Sequence, residues 1–253
     1  MTKKLPTVLM YGGGRQTVAT IVLMLQGKLP MPDFIVIADT KREKQTTWDY
    51  LDNWVRPALP IPIHRIDKDD YATVDLYRDT RAGERYLLIP AFTKQPDGKE
   101  GKLETYCSNE WKLRVCDRFL KRKIGLRDWV SWIGFSSDEP KRFNAKRRSM
   151  GDSVWFPLVD GVPTTKQGCV DLVMDFGWPM PRHSACWMCP LQDDGNWLDN
   201  TPDDMEKAVI LEKQMQLQDP NVFLHRSLVP IGEVVFDRSK QAKEPCDSGV
   251  CML

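Results

Sequence analysis

The chain has 253 residues, 42% apolar and 28% charged, with 36 Lys or Arg against 35 Asp or Glu. This is the composition of a globular protein with one substantial core and a smaller appendage, not of a disordered or fibrous chain. No stretch approaches a membrane span, and the apolar run Val8–Tyr11 is too short for a secretory signal, so a cytoplasmic protein with no membrane partner is expected. In a reducing compartment its seven cysteines are expected as thiols or metal ligands rather than disulfides.

In chain order, residues 7–11 form an apolar segment that predicts a buried strand, and residues 17–26 predict an apolar helix that ends at Gly27. Phe34 to Ala38 predicts a second strand with Asp39 and Thr40 at its tip. Residues 44–54 predict a helix closed by Pro57 and Pro60, and residues 61–66 a third strand. Alternating strands and helices imply right-handed crossovers and a parallel sheet. The fold class is therefore α/β: a Rossmann-like parallel sheet with helices on both faces over residues 1–160. A smaller, mostly helical, cysteine-containing region follows (161–236), and then a flexible cysteine-containing tail (237–253). Within this frame residues 93–101 read as a surface loop and 109–121 as a basic helix. A buried strand is expected over 129–135, and helices over 165–176 and 203–217.

The total charge of +1 is uninformative, but from Glu110 to Arg148 twelve Lys or Arg stand against five Asp or Glu. Such a patch suits nucleotide phosphates or nucleic acid, and equally a solvated helix face. The glycine loop is sharper. Gly12, Gly13 and Gly14 lie between a strand and a helix, where the backbone can turn tightly and aim amide N–H groups at an anion. The helix start adds its dipole, and Thr17 a hydroxyl. The segment is not a Walker loop, because no Gly-Lys-Thr follows, and Arg15-Gln16-Thr17 departs from the dinucleotide fingerprint. A plain tight turn is the alternative. Cys186 and Cys189, two residues apart and stiffened by Pro190, can face one metal or form a redox pair; two buried small side chains are the bland reading. Asp39, Glu43 and Asp138 could position Mg²⁺ beside phosphates, with a helix N-cap as the competing role for Asp138. Lys112, Arg142 and the run Lys146-Arg147-Arg148 could hold phosphates or a larger anionic substrate.

Met10 to Thr17 resembles the pyrophosphate-binding loop of the adenine nucleotide alpha-hydrolase (PP-loop ATP pyrophosphatase) superfamily, in particular the phosphoadenosine phosphosulfate reductase-like branch with its phage and prophage members. Further segments carry the likeness: Asp39-Thr40-Lys41-Arg42-Glu43, Cys107-Ser108-Asn109-Glu110-Trp111-Lys112, Gly134-Phe135-Ser136-Ser137-Asp138-Glu139 with Arg142, Phe156-Pro157-Leu158, and Ser184 to Pro190. Together they span about Val8 to Trp197. Two positions depart from the pattern: Met10 replaces a serine that donates to phosphate, and Lys41 replaces a glycine.

The resemblance implies ATP held by Tyr11, Gly12, Gly13, Gly14, Gln16, Thr17, Asp39, Thr40, Glu43 and Gly134, with Mg²⁺ as its counter-ion. Lys112, Asp138 and Arg142 would take part in catalysis. It also adds Cys107 and Cys169 to Cys186 and Cys189 as ligands of a [4Fe–4S] cluster, with zinc as the alternative metal and His183 as a substitute ligand. Cys246 and Cys251 resemble the catalytic thiols that family members carry near the C-terminus, with an unordered tail of incidental thiols as the alternative. The implied reaction is adenylation of a nucleotide or of a base in tRNA or DNA, followed by sulfur transfer from a sulfur donor. The alternatives are a thiol-dependent reductase of a nucleotide-linked sulfate, served by a thioredoxin-like reductant, and a non-catalytic nucleotide- or nucleic-acid-binding protein. An oligomer is compatible with all three.

Overall fold

The computed structural model describes residues 4–79 and 81–239. Five strands, β1 (Thr7–Met10), β2 (Phe34–Asp39), β3 (Ile63–Asp67), β4 (Val130–Ile133) and β5 (Val154–Trp155), form an all-parallel sheet in the order β3-β2-β1-β4-β5. The helices that position the site are α1 (Arg15–Leu25), α2 (Gln45–Tyr50), α3 (Arg114–Phe119), α4 (Pro140–Met150), α5 (Lys166–Asp175), α6 (Asp194–Leu198) and α7 (Pro202–Gln216).

Alternation along the strands assigns the two faces. Leu9, Ile35, Ile37, Ile63 and Trp132 enter the core built with α1 and α5. Val8, Met10, Val36, Ala38 and Ile66 face the opposite way, onto Val115, Cys116 and Leu120. Both faces are thus covered, as a parallel sheet requires, and the expected Rossmann-like α/β architecture is the one observed. A separate core joins Leu88, Ile89, Trp111, Met188, Trp197, Leu211, Met215 and Leu224. Helix α5 does not belong to that core: Cys169 and Val173 pack with α1 against the sheet. Among the described residues no helix is long and apolar enough to cross a membrane.

Two local expectations change, and one strand had no signal to read. Pro57 does not stop the helix that starts at Gln45. A wider, π-type turn (Leu51–Val55) follows α2, and Arg56 N–H donates to Leu51 O, so the ladder is already offset where Pro57 lacks its N–H; helix resumes over Arg56–Ala58. Residues 93–101, read as a loop, include a hairpin that pairs Thr93 with Gly101 and extends through Val222–Phe223 into a three-stranded antiparallel sheet. Strand β5, two residues long, is too short for any periodicity to show.

The topology also fixes where a ligand can sit. From β1 the chain crosses to β2, and from β4 to β5 on the other side. The loops after β1 and β4 therefore diverge and leave a crevice at the carboxyl edge of the sheet. Gly134 lets the two loops close on each other: a Cβ there would lie 2.8 Å from Thr17 Cγ2 and 3.3 Å from Thr17 N.

Candidate functional site

A cavity of about 260 Å³ opens at this crevice. Gly14, Arg15 and Gln16 form one wall, and Cys107, Ser108 and Lys112 another. Glu139, Arg142 and Lys166 form a third, and the segment His183–Cys186 with Cys189, Leu191 and Gln192 closes it. Four cations, Arg15, Lys112, Arg142 and Lys166, line the cavity against one carboxylate, Glu139.

The glycine loop is held open from behind. Gly13 has φ +72°, and a Cβ on it would lie 2.6 Å from Thr47 Cγ2. Ser184 Oγ donates to Gly12 O at 2.7 Å and ties the loop to the cysteine segment. Gly14 stands at the N-cap of α1, and among the described residues no side chain caps the first N–H groups of the helix. An eleven-residue helix adds its dipole there. Thr17 Oγ1 donates back to Gly14 O at 3.0 Å, so its single hydroxyl proton shapes the loop rather than facing the cavity. Tyr11 is buried in the α1 core, where burial raises its hydroxyl pKa far above the usual value.

Glu139 organises the third wall. Its Oε2 accepts from Ser136 Oγ (2.8 Å), Ser136 N–H (3.2 Å) and Gln16 Nε2 (3.2 Å). Its Oε1 meets Arg142 at 2.7 Å and Lys166 at 3.3 Å. Burial alone would raise the pKa of this carboxyl, but Arg142 and the hydrogen bonds outweigh it and hold it low. Glu139, not Asp138, occupies the N-cap of α4; Asp138 instead accepts from Lys166 N–H at 3.1 Å, at the start of α5. Its role as an N-cap of α4 is thereby corrected.

The segment Thr40–Lys44 zips onto the cysteine segment through Trp187 N–H to Arg42 O (2.8 Å), Lys44 N–H to Ala185 O (3.3 Å) and a bridge between Glu43 and Cys186. Glu43 Oε1 holds Lys112 Nζ at 2.8 Å and accepts from Cys186 Sγ at 3.8 Å. Burial would lower the Lys112 pKa, yet the Glu43 charge prevails and raises it. Both oxygens of Asp39 are committed, Oδ1 to Lys41 N–H (2.8 Å) and Oδ2 to Arg65 Nε and Nη2 (3.0 and 2.7 Å). Asp39 therefore does not fit the role of a free Mg²⁺ ligand. Lys41, where the resembled pattern has glycine, adopts φ +60°, so the left-handed turn survives the substitution.

Cys107, Cys186 and Cys189 line the same cavity. Burial pushes the Cys107 thiol up to about 12 and raises those of Cys186 and Cys189, which keeps all three protonated at neutral pH. Cys169 stands apart, fully buried between α5 and α1. Among the described residues no three His, Cys, Asp or Glu side chains gather closely enough to hold a metal ion. Replacing Cys169 with serine places a hydroxyl in apolar surroundings. It should lower stability by about 1–3 kcal/mol in urea denaturation and leave ligand affinity at the cavity unchanged. A lost affinity would instead tie Cys169 to the site. Cys246 and Cys251 lie outside the described residues.

Lys44 was not singled out by its sequence context, yet it is 2% exposed and donates from Nζ to Asn196 O at 2.7 Å. Burial lowers its pKa from 10.5 to about 8, against the pull of nearby acids. Between those values the unfolded chain binds the proton more tightly than the folded one, so stability rises with pH across that window and is lost as pH falls through about 8. The shift corresponds to a contribution on the order of 3 kcal/mol. Urea denaturation at about pH 7.5 and 9.5 should show the wild type gaining stability relative to Lys44→Met. Parallel behaviour of the two proteins would refute it.

Of the residues expected at the site, Gly14, Gln16, Lys112, Arg142, Cys107, Cys186 and Cys189 reach the cavity wall. Gly13, Thr17 and Gly134 shape the loop, and Glu43 supports Lys112 from behind. Ser184, the first residue of the cysteine segment, joins the wall, and Lys166 and Gln192 join it without any local sequence signal. No family model matches the chain, and no curated protein or solved structure is matched either.

Proposed function

We propose that this protein binds ATP at the crevice between β1 and β4 and adenylates a substrate there, as the PP-loop resemblance implies. The observation that carries the reading is the convergence of an uncapped glycine-loop helix start and four cationic side chains on one cavity at the topological switch point. The N–H groups at the start of α1 would take the phosphate oxygens. Arg142, Lys166 and Lys112 would offset the charge that grows on the leaving pyrophosphate. A substrate oxygen attacks the α-phosphorus, the bond to pyrophosphate breaks, and the adenylated substrate then loses AMP to a second nucleophile. Mg²⁺ arriving with the phosphates would supply further charge neutralisation, without Asp39 as its ligand. Glu139, held ionised by Arg142, positions Gln16, Arg142 and Lys166 rather than moving a proton.

Sulfur as the second nucleophile follows from the resemblance. No step is assigned to the three cavity thiols, which burial keeps protonated. Their presence at the cavity does favour a second reading, thiol-dependent reduction of an adenylyl sulfate. One assay separates the two: purified protein incubated with ATP and candidate acceptors should release pyrophosphate. Sulfite release from adenylyl sulfate without pyrophosphate release would replace the first reading by the second.

A further inference from the structure

Helix α4 leads away from the cavity and carries Lys141, Arg142, Lys146, Arg147 and Arg148 with no acidic residue in its eleven positions. None of its residues is buried. Phe143 and Met150 anchor it on Phe156 and Ile133. Arg147 belongs to that anchored side: it lies over Phe143 and Phe156 and pairs with Asp160 at 2.5 Å. At 100° per residue Arg142 and Lys146 share one row, and Lys141 and Arg148 share another about 130° around the helix. Lys141, Lys146 and Arg148 form no ion pair among the described residues. Arg142 lines the cavity, and Lys146 follows one turn later, about 6 Å along the axis. That step is comparable to the separation of neighbouring phosphates in an extended single strand. Burial and the like charge of Arg142 both lower the Lys146 pKa, a cost that a bound anion would relieve.

We infer that α4 is a docking surface for a single-stranded polynucleotide, whose phosphates run along the Arg142–Lys146 row while one of its nucleotides reaches the cavity. A single strand is the occupant the cavity favours, because a base held in a duplex would first have to leave its pair to enter it. Spaced cations along a surface track are the electrostatic element of single-strand binding. The seating of a nucleotide in the cavity rests on the nucleotide reading above; the docking on α4 does not, because it is measured without ATP.

The test is fluorescence anisotropy of full-length protein with labelled oligo(dT) and oligo(U) of about 15 nucleotides, between about 50 and 200 mM salt. The combined variant Lys141→Gln/Lys146→Gln/Arg148→Gln should bind at least about ten-fold more weakly. Its plot of log affinity against log salt should be flatter by about 2, since each phosphate contact contributes about 0.7. ATP titration should be unchanged in the variant, and its thermal midpoint should match the wild type, because Lys141 and Arg148 are exposed, Lys146 is only partly buried, and none of the three forms an ion pair among the described residues. The two oligonucleotides distinguish DNA from RNA as the partner. The inference is overturned by equal binding of variant and wild type, by no oligonucleotide binding at all, or by equally tight binding of poly-glutamate. Oligonucleotide binding without ATP binding would sink the ATP reading and leave the docking surface standing.

Discussion

Lys112→Ala is expected to destabilise the protein by about 3–5 kcal/mol, a loss of roughly 100-fold or more in the folding equilibrium. The reason lies in Glu43, whose side chain is 5% exposed and whose Oε1 sits 2.8 Å from Lys112 Nζ. Removing the cation leaves a buried carboxylate with only the weak Cys186 S–H donor on that oxygen. Replacing both partners by apolar residues of similar size, Glu43→Leu with Lys112→Met, should recover most of the lost stability, since the desolvation cost of two charges is then removed as well. Activity should not recover with it, because Lys112 lines the cavity and supplies charge to it. Urea denaturation of the two single variants and the double variant measures the coupling. A small loss in Lys112→Ala, below about 1 kcal/mol, would place the pair in the class of solvent-screened surface bridges and contradict this account.

Gly13→Ala should reduce ATP affinity by about ten-fold or more, since the backbone strain alone is worth roughly 1–2 kcal/mol. Two causes act together. An alanine at φ +72° is in the left-handed region, which costs roughly 1–2 kcal/mol, and its Cβ would lie 2.6 Å from Thr47 Cγ2. Thr47 is itself buried on α2, so it cannot swing away. Thr47→Ser removes the methyl that clashes and nothing else. The double variant should therefore regain part of the affinity, leaving only the backbone strain. Calorimetric titration of both proteins reads this directly. No recovery in the double variant would assign the whole effect to backbone conformation.

The architecture was legible because β1 to β4 each carry their signal locally, which the two-residue β5 does not. Phe34 to Ala38 is apolar without interruption, as a strand covered on both faces must be, and the glycines follow β1 at once. The loop chemistry was legible for the same reason, since Gly12–Gly14 and the start of α1 are contiguous. The pairing of Glu43 with Lys112 and of Glu139 with Gln16 was not, because partners 69 and 123 residues apart leave no periodic trace. Cys169 shows the opposite failure. A family position suggested a ligand, but it faces inward on α5 and packs with Val173 against α1. Lys44 was hidden because a lysine at a helix start ordinarily points to solvent, and only the folding of α6 over it buries the amine. Asp39 looks free as a cation ligand in its own segment, but Lys41 N–H two residues on and Arg65 on the neighbouring strand take up its two oxygens.

The most direct test is a crystal structure of the protein with a non-hydrolysable ATP analogue. The account predicts the analogue's phosphates on the N–H groups at the start of α1, within reach of Arg142 and Lys166, in the crevice between β1 and β4. Phosphates bound elsewhere, or a crevice left empty at saturating analogue, would contradict it.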